Sequence, residues 1–308
     1  MKKLYSPLIL KDIEQKYGYH ISKRLGQNFL IDQNIVNNII EYAEINKNDL
    51  VIEIGPGTGV LTAAAAEKAA MVTAVELDSR LIPVLNDNLS DFDNIRVINK
   101  DILKTDIGAI ARSMLIERSH NIQLGSDKAG REIEPAKVKI LGNLPYYITT
   151  AVIANLLEGD IPFSSMTFMM QKEVAGRMCA VNGERECGAI TALIRYHSEP
   201  KILFNVSREV FIPRPNVDSA VIRFDILENK AVSPINDRHF FRVIRAGFNH
   251  RRKTMLNALA GFDGLGKDDI QRAFSIADLA PGRRAESLSL AEFQRLSDAL
   301  LEVSDDLG

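Results

Sequence analysis

The sequence has few cysteines, no long apolar run and almost no net charge. Its 308 residues include two cysteines, Cys179 and Cys187, and neither has a Cys or His cluster around it, which excludes a disulfide framework and a cysteine-based metal site. No apolar run approaches the roughly 18 residues that span a bilayer. The apolar stretch at 8–10 stops at Lys11, too early for the core of a signal peptide. We therefore expect a whole, cytoplasmic protein with no membrane segment and no metal.

Two common nucleotide-binding motifs are also missing. Residues 51–62, VIEIGPGTGVLT, have the order of a strand, a glycine turn and a helix start, with glycines at 55, 57 and 59. This GxGxG spacing differs from the GxGxxG of dinucleotide sites, and the chain has no GxxxxGKS/T phosphate loop. The loop is therefore expected to approach a ligand that has no pyrophosphate.

Short apolar segments alternate with helical patterns from about residue 33 to residue 157. Nearly continuous apolar strands between helices are typical of a parallel sheet that is covered on both faces. Asp32 is predicted as the N-cap of the first of these helices. No strong helical pattern separates the last two predicted strands, so antiparallel pairing is expected at their end of the sheet. The predicted strands are 50–54, 71–77, 95–103, 138–143, 165–170, 201–206 and 219–226.

A change in composition at residues 228–237, ENKAVSPIND, divides the chain, and the pattern beyond it is helical throughout. We predict an α/β domain at 1–230 and a small all-helical domain at 231–308. Residues 108–137 join a helix-forming segment to a polar, glycine-containing one. That pattern predicts a helix followed by an exposed excursion.

Two carboxylates follow successive predicted strands. Glu76 lies 21 residues after Gly55, and Asp101 follows the next strand. A carboxylate at the first position can accept hydrogen bonds from both hydroxyls of a ribose, as in the dinucleotide folds. A carboxylate at the second position can accept a hydrogen bond from an adenine amino group. Acids without phosphate-binding groups favour S-adenosylmethionine, which is cationic and carries no phosphate. The alternative is an ordinary turn with two solvated strand ends.

Three further motifs occur in order along the chain with EIGPGTG and VELD: GQNFLID at 26–32, LGNLPYYIT at 141–149 and FIPRPNVDSAV at 211–221. Together they resemble the motifs of the ribosomal RNA adenine N6,N6-dimethyltransferases. The segment FNHRRKTMLNAL at 248–259 is similar to that of the small-subunit members of the family. The resemblance implies a Rossmann-like class I methyltransferase domain, with a mostly parallel sheet, helices on both faces and antiparallel strands at one end, plus a small helical domain.

The resemblance also implies an activity and its ligands. The family transfers methyl groups from S-adenosylmethionine to N6 of two adjacent adenines near the 3′ end of small-subunit (16S) rRNA, during maturation of that subunit. The implied partner is rRNA within an immature small ribosomal subunit, bound by a monomeric enzyme. Residues 108–137 look like an insertion relative to the family. The implied cofactor contacts are Asn28, Leu30, Gly55, Gly57, Glu76, Asp101 and Asn143.

The stretch Asn143-Leu144-Pro145-Tyr146 has groups suited to an adenine amine, which is a weak nucleophile because its lone pair is delocalised into the ring. Two acceptors for the amine hydrogens would free that pair. We predict that these are the side-chain oxygen of Asn143 and the carbonyl of Leu144, with Pro145 stiffening the turn without adding a donor. Tyr146 is predicted to stack on the extruded base and Phe211 on its other face. The alternative for both rings is core packing.

Residues 238–262 contain six basic residues and no acid. Arg238, Arg242, Arg245 and Arg252 share one helical face if the helix continues past Asn249. A run without acids favours the binding of RNA phosphates over a solvated helix face, where both signs usually mix. The predicted RNA contacts are Arg245, Arg251, Arg252 and Lys253.

Three other functions fit parts of the pattern. A large-subunit rRNA adenine methyltransferase of the antibiotic-resistance type shares the QNFL and NxPY segments, but the NLPY spelling and the 248–259 segment favour the small-subunit enzyme. A ribosome-assembly or transcription factor would show decay of the cofactor or NLPY residues, and all of them are present. A nicotinamide oxidoreductase is disfavoured by the GxGxG spacing.

Overall fold

A computed structural model of the chain describes residues 4–5, 7–22, 26–124, 136–145, 147–159, 161–181, 183–250 and 252–306. Two residues with predicted roles, Tyr146 and Arg251, lie outside the described residues. The chain divides into two compact units. The first comprises Met1–Ala175 with Lys201–Ile226, and the second comprises Gly176–Pro200 with Leu227–Gly308.

The strands are numbered along the chain as β1 (Phe29–Leu30), β2 (Leu50–Ile54), β3 (Met71–Glu76), β4 (Ile95–Asn99), β5 (Val138–Asn143), β6 (Ser165–Gln171), β7 (Ser198–Val206), β8 (Phe211–Ile212) and β9 (Ser219–Ile226). One sheet has the order β4-β3-β2-β5-β6-β9-β7. The first five strands in this order pair in parallel with their neighbours, and β9 runs antiparallel to β6. The predicted fold class, a mostly parallel α/β sheet with antiparallel pairing at one end, is therefore confirmed.

The helices of the first unit are α1 (Pro7–Tyr17), α2 (Gln33–Tyr42), α3 (Val60–Ala66), α4 (Ile82–Asn88), α5 (Ile107–Leu124) and α6 (Thr149–Glu158), and α7 (Lys172–Cys179) continues from the first unit into the second. The helices of the second unit are α8 (Ala189–His197), α9 (Asp237–Asn249), α10 (Met255–Ala258), α11 (Lys267–Ile276) and α12 (Leu290–Asp305). In the described part of the chain, none of these helices is long and apolar enough to cross a bilayer.

Burial explains why β2 has no polar alternation. All five of its residues are buried, and successive side chains of a strand point to opposite faces of the sheet. Both faces are therefore covered at β2. The predicted N-cap of α2 is also confirmed, because the Asp32 carboxylate accepts hydrogen bonds from the backbone N–H groups of Asn34 and Ile35.

Several predicted strand ends were wrong. The strand predicted at 95–103 stops at Asn99, because Asp101 caps a short 3-10 turn at 102–104 and accepts a hydrogen bond from Leu103 N at 3.0 Å. β3 ends one residue earlier than predicted, and β7 begins three residues earlier, at Ser198. The helix predicted at the start of 108–137 is confirmed by α5, and 125–135 lie outside the described residues.

The second unit has its own core, to which α8, α9, α11 and α12 contribute. Tyr196, Phe240, Phe274 and Phe293 are each at most 1% exposed within it. The Tyr196 hydroxyl also donates a hydrogen bond to Asp237 Oδ1 at 2.7 Å. These contacts place α8 with the C-terminal helices, although it precedes the predicted domain boundary at residue 230. What each unit binds stays a prediction.

Candidate active site

A cleft opens in the first unit beside the carboxyl ends of β2, β3 and β5. Open α/β sheets bind ligands at this edge, next to the point where the strand order reverses. The cavity measures about 240 Å³. Its walls come chiefly from residues 26–30, 53–58, 75–77 and 100–103, with the turn that follows β5. Segments that are far apart in the sequence therefore meet here.

The glycine loop connects β2 to α3 through left-handed backbone conformations. Gly55 and Gly57 have φ angles of 69° and 60°, which favour glycine strongly. A Cβ on Gly57 would lie 3.1 Å from Phe29 Cε1, whereas a Cβ on Gly55 would meet no atom within 4 Å. Gly57 therefore allows close packing against β1, and Gly55 borders open space in the cleft.

Glu76 ends β3 with its side chain buried in the cleft wall. Its Oε2 accepts a hydrogen bond from Gly57 N at 3.3 Å, and its Oε1 accepts one from Asp78 N at 2.7 Å. Burial raises the pKa of the Glu76 carboxyl, while the two backbone N–H groups stabilise its charged form. These two bonds fix the Glu76 carboxylate beside the glycine loop.

Asp101 borders the cleft beyond the end of β4, and two apolar side chains line the cleft as well. Its carboxylate lies 3.8 Å from Lys104 Nζ. Leu77 and Leu103 also line the cleft and are 49% and 39% exposed. Two exposed apolar side chains therefore line the same cleft as this acid. The two leucines were not predicted, although each closely follows a predicted acid.

The segment 26–30 is held at the cleft by strand pairing. β1 pairs with β8 through Phe29 opposite Ile212 and Leu30 opposite Phe211. Asn28 and Leu30 both line the cleft, as predicted cofactor contacts should. The Asn28 side chain donates from Nδ2 to the Gly26 carbonyl at 3.1 Å, which closes a short turn.

Gln27 anchors the same segment to more distant parts of the first unit. Its Oε1 accepts hydrogen bonds from the Tyr19 hydroxyl at 2.6 Å and from Ser22 N at 2.9 Å, and its Nε2 donates to Asp78 Oδ2 at 3.2 Å. The Arg80 guanidinium, 2.6 Å from Asp78, holds the pKa of that carboxyl below its ordinary value. Gln27 was not predicted as a site residue, since its contact with Asp78 joins positions 51 residues apart.

Asn143 is the last residue of β5 and lines the cleft. Its Nδ2 donates a hydrogen bond to the Asn28 carbonyl at 3.0 Å. The next two residues, Leu144 and Pro145, also line the cleft. The Pro145 carbonyl accepts a hydrogen bond from Thr149 Oγ1 at 3.1 Å and is therefore engaged at the start of α6. The Ile148 N–H donates to the same Pro145 carbonyl at 3.1 Å, so both lone pairs of that oxygen are used.

The aromatic residues predicted to hold the base are placed differently. Tyr146 is outside the described residues. Phe211 is 3% exposed and belongs to the core of the first unit, because β8 pairs with β1, and it does not line the cleft. Tyr147 was not predicted, but it is 61% exposed and does line the cleft. It lies close to the Gly26 turn, where an added Cβ would come within 3.6 Å of its Cε1.

An unpredicted acid, Glu53, is buried in the wall of the cleft. The Thr62 hydroxyl donates a hydrogen bond to its Oε2 at 2.5 Å. Burial raises the pKa of the Glu53 carboxyl to about 8 despite that bond, and the charge of Glu76 adds to the rise. The available signal was a charged residue inside the apolar strand LVIEI. Within the described residues, no three His, Cys, Asp or Glu side chains group so as to hold a metal ion.

The basic run predicted to bind RNA lies in the second unit, and only part of it is helical. α9 ends at Asn249, so the prediction that one helical face continues to Arg252 was wrong. Arg242 pairs with Asp263, the first acid beyond the run, and its guanidinium lies over the Phe262 ring at 5.2 Å. One cation of the run is therefore neutralised. The exposed basic residues of the described part of the run are Arg238, Arg242, Arg245, Arg252 and Lys253.

Comparisons with known proteins agree on one family. Residues 18–302 match the family model described as ribosomal RNA adenine dimethylase. Ribosomal RNA small subunit methyltransferase A of Bacillus pumilus (strain SAFR-032) is 42% identical over 302 residues, which are 97% of this chain and 98% of that protein. The protein of the same name from Clostridioides difficile (strain 630) is 41% identical over 300 residues, with 97% and 98% covered.

Solved structures show the same fold. A dimethyladenosine transferase from Plasmodium falciparum superposes with a TM-score of 0.70 at 23% identity, covering 90% of this chain and 98% of that one. The 23S rRNA methyltransferase ErmE superposes with a TM-score of 0.62 at 24% identity, covering 88% and 99%. Similarity at these identities supports the architecture and does not distinguish between substrates.

Proposed function

The chain belongs to the ribosomal RNA adenine dimethylase family, and we propose that the cleft of the first unit is its methyl-transfer site. The protein is an S-adenosylmethionine-dependent enzyme that dimethylates adenine in small-subunit (16S) rRNA. We assign the reaction to N6 of two adjacent adenines near the 3′ end of that RNA, during maturation of the subunit. The sequence NLPY at 143–146 and the segment FNHRRKTMLNAL at 248–259 support this assignment.

The cleft offers two carboxylates and a glycine loop, which suit S-adenosylmethionine because that ligand is cationic and carries no phosphate. Glu76, tied to the glycine loop at 3.3 Å, would accept the ribose hydroxyls, and Asp101 would accept the adenine amino group. Leu77 and Leu103 would border the adenine ring. When bound, this cofactor supplies an electrophilic methyl carbon on a sulfonium. The remaining cofactor contacts are assigned to Asn28, Leu30, Gly55, Gly57 and Asn143.

Asn143 and Leu144 would hold the amine that receives the methyl group. The side-chain oxygen of Asn143 and the carbonyl of Leu144 accept its two hydrogens, which draws the nitrogen toward a tetrahedral shape and frees its lone pair. Pro145 keeps the turn stiff and adds no N–H. The hydrogen bond from Thr149 to the Pro145 carbonyl supports the choice of Leu144.

Alignment accounts for the rest of the reaction. Asn143 and Leu144 would hold the freed lone pair toward the methyl group that the bound cofactor would supply, and the sulfur would leave as a neutral thioether. The amine proton becomes acidic on methylation and passes to water, so no general base is needed. Orientation of two reactants in this manner can contribute on the order of 7–11 kcal/mol to lowering a barrier.

The extruded adenine needs an aromatic surface in the cleft. Stacking of a base on an aromatic side chain is typically worth about 1–3 kcal/mol. We assign one face of the base to Tyr146, and the 61% exposure of Tyr147 supports a place for it beside the same base. Phe211 stays a candidate for the other face only if its ring leaves the core in which it is buried.

The second unit would hold the RNA outside the cleft. Arg245, Arg251, Arg252 and Lys253 are assigned to phosphate contacts, and the exposure of the three that the structure describes supports this. Arg242 is left out because Asp263 pairs with it. We propose that the enzyme acts in the cytoplasm as a monomer on rRNA within an immature small subunit.

The proposal is carried by one observation: Asn143, Glu76 and Asp101 line the same cleft in a chain that matches the family almost throughout. Labelled methyl groups from S-adenosylmethionine would be supplied with unmethylated small subunits, large subunits or naked 16S rRNA. We expect label on N6 of small-subunit adenines. Label on large-subunit RNA alone would indicate the antibiotic-resistance type of enzyme, and cofactor binding with no label on any RNA would favour an assembly factor.

A further inference from the structure

The orientation of the Asn143 amide decides whether it can act on an adenine amine. An amide presents an acceptor oxygen on one side and two N–H donors on the other. The target amine offers hydrogens, so the oxygen must face it. If the amide were turned around, donors would face donors and the interaction would be lost.

The structure contains a group that distinguishes the two ends of this amide. Asn143 Nδ2 donates to the backbone carbonyl of Asn28 at 3.0 Å. A carbonyl oxygen accepts hydrogen bonds and cannot donate them. With the amide flipped, two oxygens would face each other at that distance. The Asn28 carbonyl therefore favours the orientation in which Asn143 Oδ1 points away from it.

The Asn28 carbonyl is itself held in place on both sides. The Asn28 side chain donates to Gly26 O at 3.1 Å, and Gly26 adopts the turn with a φ of 61°. Gln27 anchors the preceding position through Tyr19 and Asp78. The residue after Asn28 begins β1, which pairs with β8. The chain's own hydrogen bonds therefore fix this carbonyl, with no need for a ligand.

We infer that Asn28 is a positioning residue whose backbone carbonyl orients the Asn143 amide, so that the amide oxygen faces the target amine. This inference rests on the proposed function of the cleft and deepens it. The segment 26–30 then serves methyl transfer as well as the cofactor contact predicted for Asn28. Its displacement would lower the rate of transfer even at saturating cofactor.

The Asn143→Asp variant tests this inference through pH. Its ionised carboxylate can accept from the target amine but cannot donate to the Asn28 carbonyl, which repels it. Its protonated carboxyl can donate its O–H to that carbonyl while the other oxygen accepts from the amine. Transfer by the variant, divided by wild-type transfer at the same pH, is therefore expected to rise as pH falls, by about tenfold per unit above the pKa of the introduced group.

An amide that only accepts a hydrogen predicts the opposite trend. A carboxylate is a stronger acceptor than a neutral oxygen, so the ratio would then rise with pH. Other titratable groups lining the cleft are Glu53, Glu76, Lys100, Asp101 and Tyr147. Saturating cofactor and division by the wild-type rate remove their contribution. A ratio that rises with pH or stays constant overturns the inference, and the Asn143→Ala variant supplies the constant reference.

The wild-type amide decides the matter if the Asp variant transfers no methyl at any pH. In protein labelled with nitrogen-15 asparagine, the Asn143 side-chain signal is identified by its loss in Asn143→Asp. Its bonded N–H is expected to exchange with water several-fold more slowly than the side-chain N–H of Asn37, exposed on α2. Equal exchange overturns the inference. A failure of the proposed function is different, because wild-type protein would then transfer no methyl to small subunits.

Discussion

Replacing Glu53 with Gln is expected to stabilise the protein at neutral and alkaline pH, because it removes a carboxyl that the fold prevents from ionising. Glu53 is 1% exposed in β2, and the Thr62 hydroxyl donates to it at 2.5 Å. Gln has nearly the same shape and can accept the same hydrogen bond. The variant therefore removes the ability of the side chain to ionise and changes little else.

The size of the effect follows from the two pKa values of the carboxyl. The ordinary pKa of 4.5 rises to about 8 in the folded protein, chiefly through burial. Between these values the folded state keeps a proton that the unfolded state releases, so the free energy of unfolding falls as pH rises. Each unit of pKa difference corresponds to about 1.4 kcal/mol. The free energy of unfolding of wild type has its full value, with respect to Glu53, below pH 4.5. By pH 8 it has fallen by on the order of 5 kcal/mol.

Urea unfolding of wild type and Glu53→Gln at several pH values measures this directly. The free energy of unfolding of the variant, minus that of wild type, is expected to grow by several kcal/mol between about pH 5 and pH 8. Asp91→Asn, at an exposed position, is the matched control and should show no such growth. A difference for Glu53→Gln that stays constant with pH would refute the reasoning.

Two further predictions concern the ligands. Glu76→Gln is expected to weaken S-adenosylmethionine binding by about tenfold or more. The carboxylate has two acceptor oxygens for the N–H groups of Gly57 and Asp78 and for the ribose, whereas Gln has one. Calorimetry showing unchanged affinity would count against the ribose contact. Replacement of Arg251, Arg252 and Lys253 by Ala is expected to weaken RNA binding and to flatten the dependence of log K on log salt by about 2–3. The exposed Lys47, at the amino end of β2, is the control, and an unchanged salt slope in the triple variant would remove the RNA contact from this segment.

The sheet and its two acids could be predicted because local sequence determines them. Apolar residues on both faces of a strand indicate a strand covered on both sides, as the burial of all of β2 confirms. The carboxyl ends of parallel strands meet at one edge of the sheet, which is why Glu76 and Asp101 were expected together and both line the cleft. Motif order supplied Asn143 and Asn28.

Contacts between distant segments had no local signal. The hydrogen bond between Asn143 and Asn28 joins residues 115 positions apart, so its existence could not be deduced from either motif. Phe211 is buried because β8 pairs with β1, a pairing of two-residue strands that no periodicity reveals. Arg242 is neutralised by Asp263, which lies one residue beyond the run that had been counted as free of acids.

The position of α8 has a similar explanation. It precedes the predicted boundary at residue 230, yet Tyr196 packs against Phe240 with ring centroids 5.4 Å apart and donates to Asp237. Composition marks where a chain changes character, whereas membership of a core depends on which apolar faces meet. The sequence therefore indicated a helical second unit but not that residues 176–200 belong to it.

The central claim is that Asn143 at the end of β5 activates the adenine amine. The most direct measurement compares wild type and Asn143→Ala for methyl transfer to N6 of small-subunit adenines at saturating S-adenosylmethionine, with cofactor affinity and thermal unfolding measured on the same samples. The account predicts a variant that folds and binds cofactor within about tenfold of wild type but loses transfer by at least about a hundredfold. Transfer at the wild-type rate by the folded variant would contradict it.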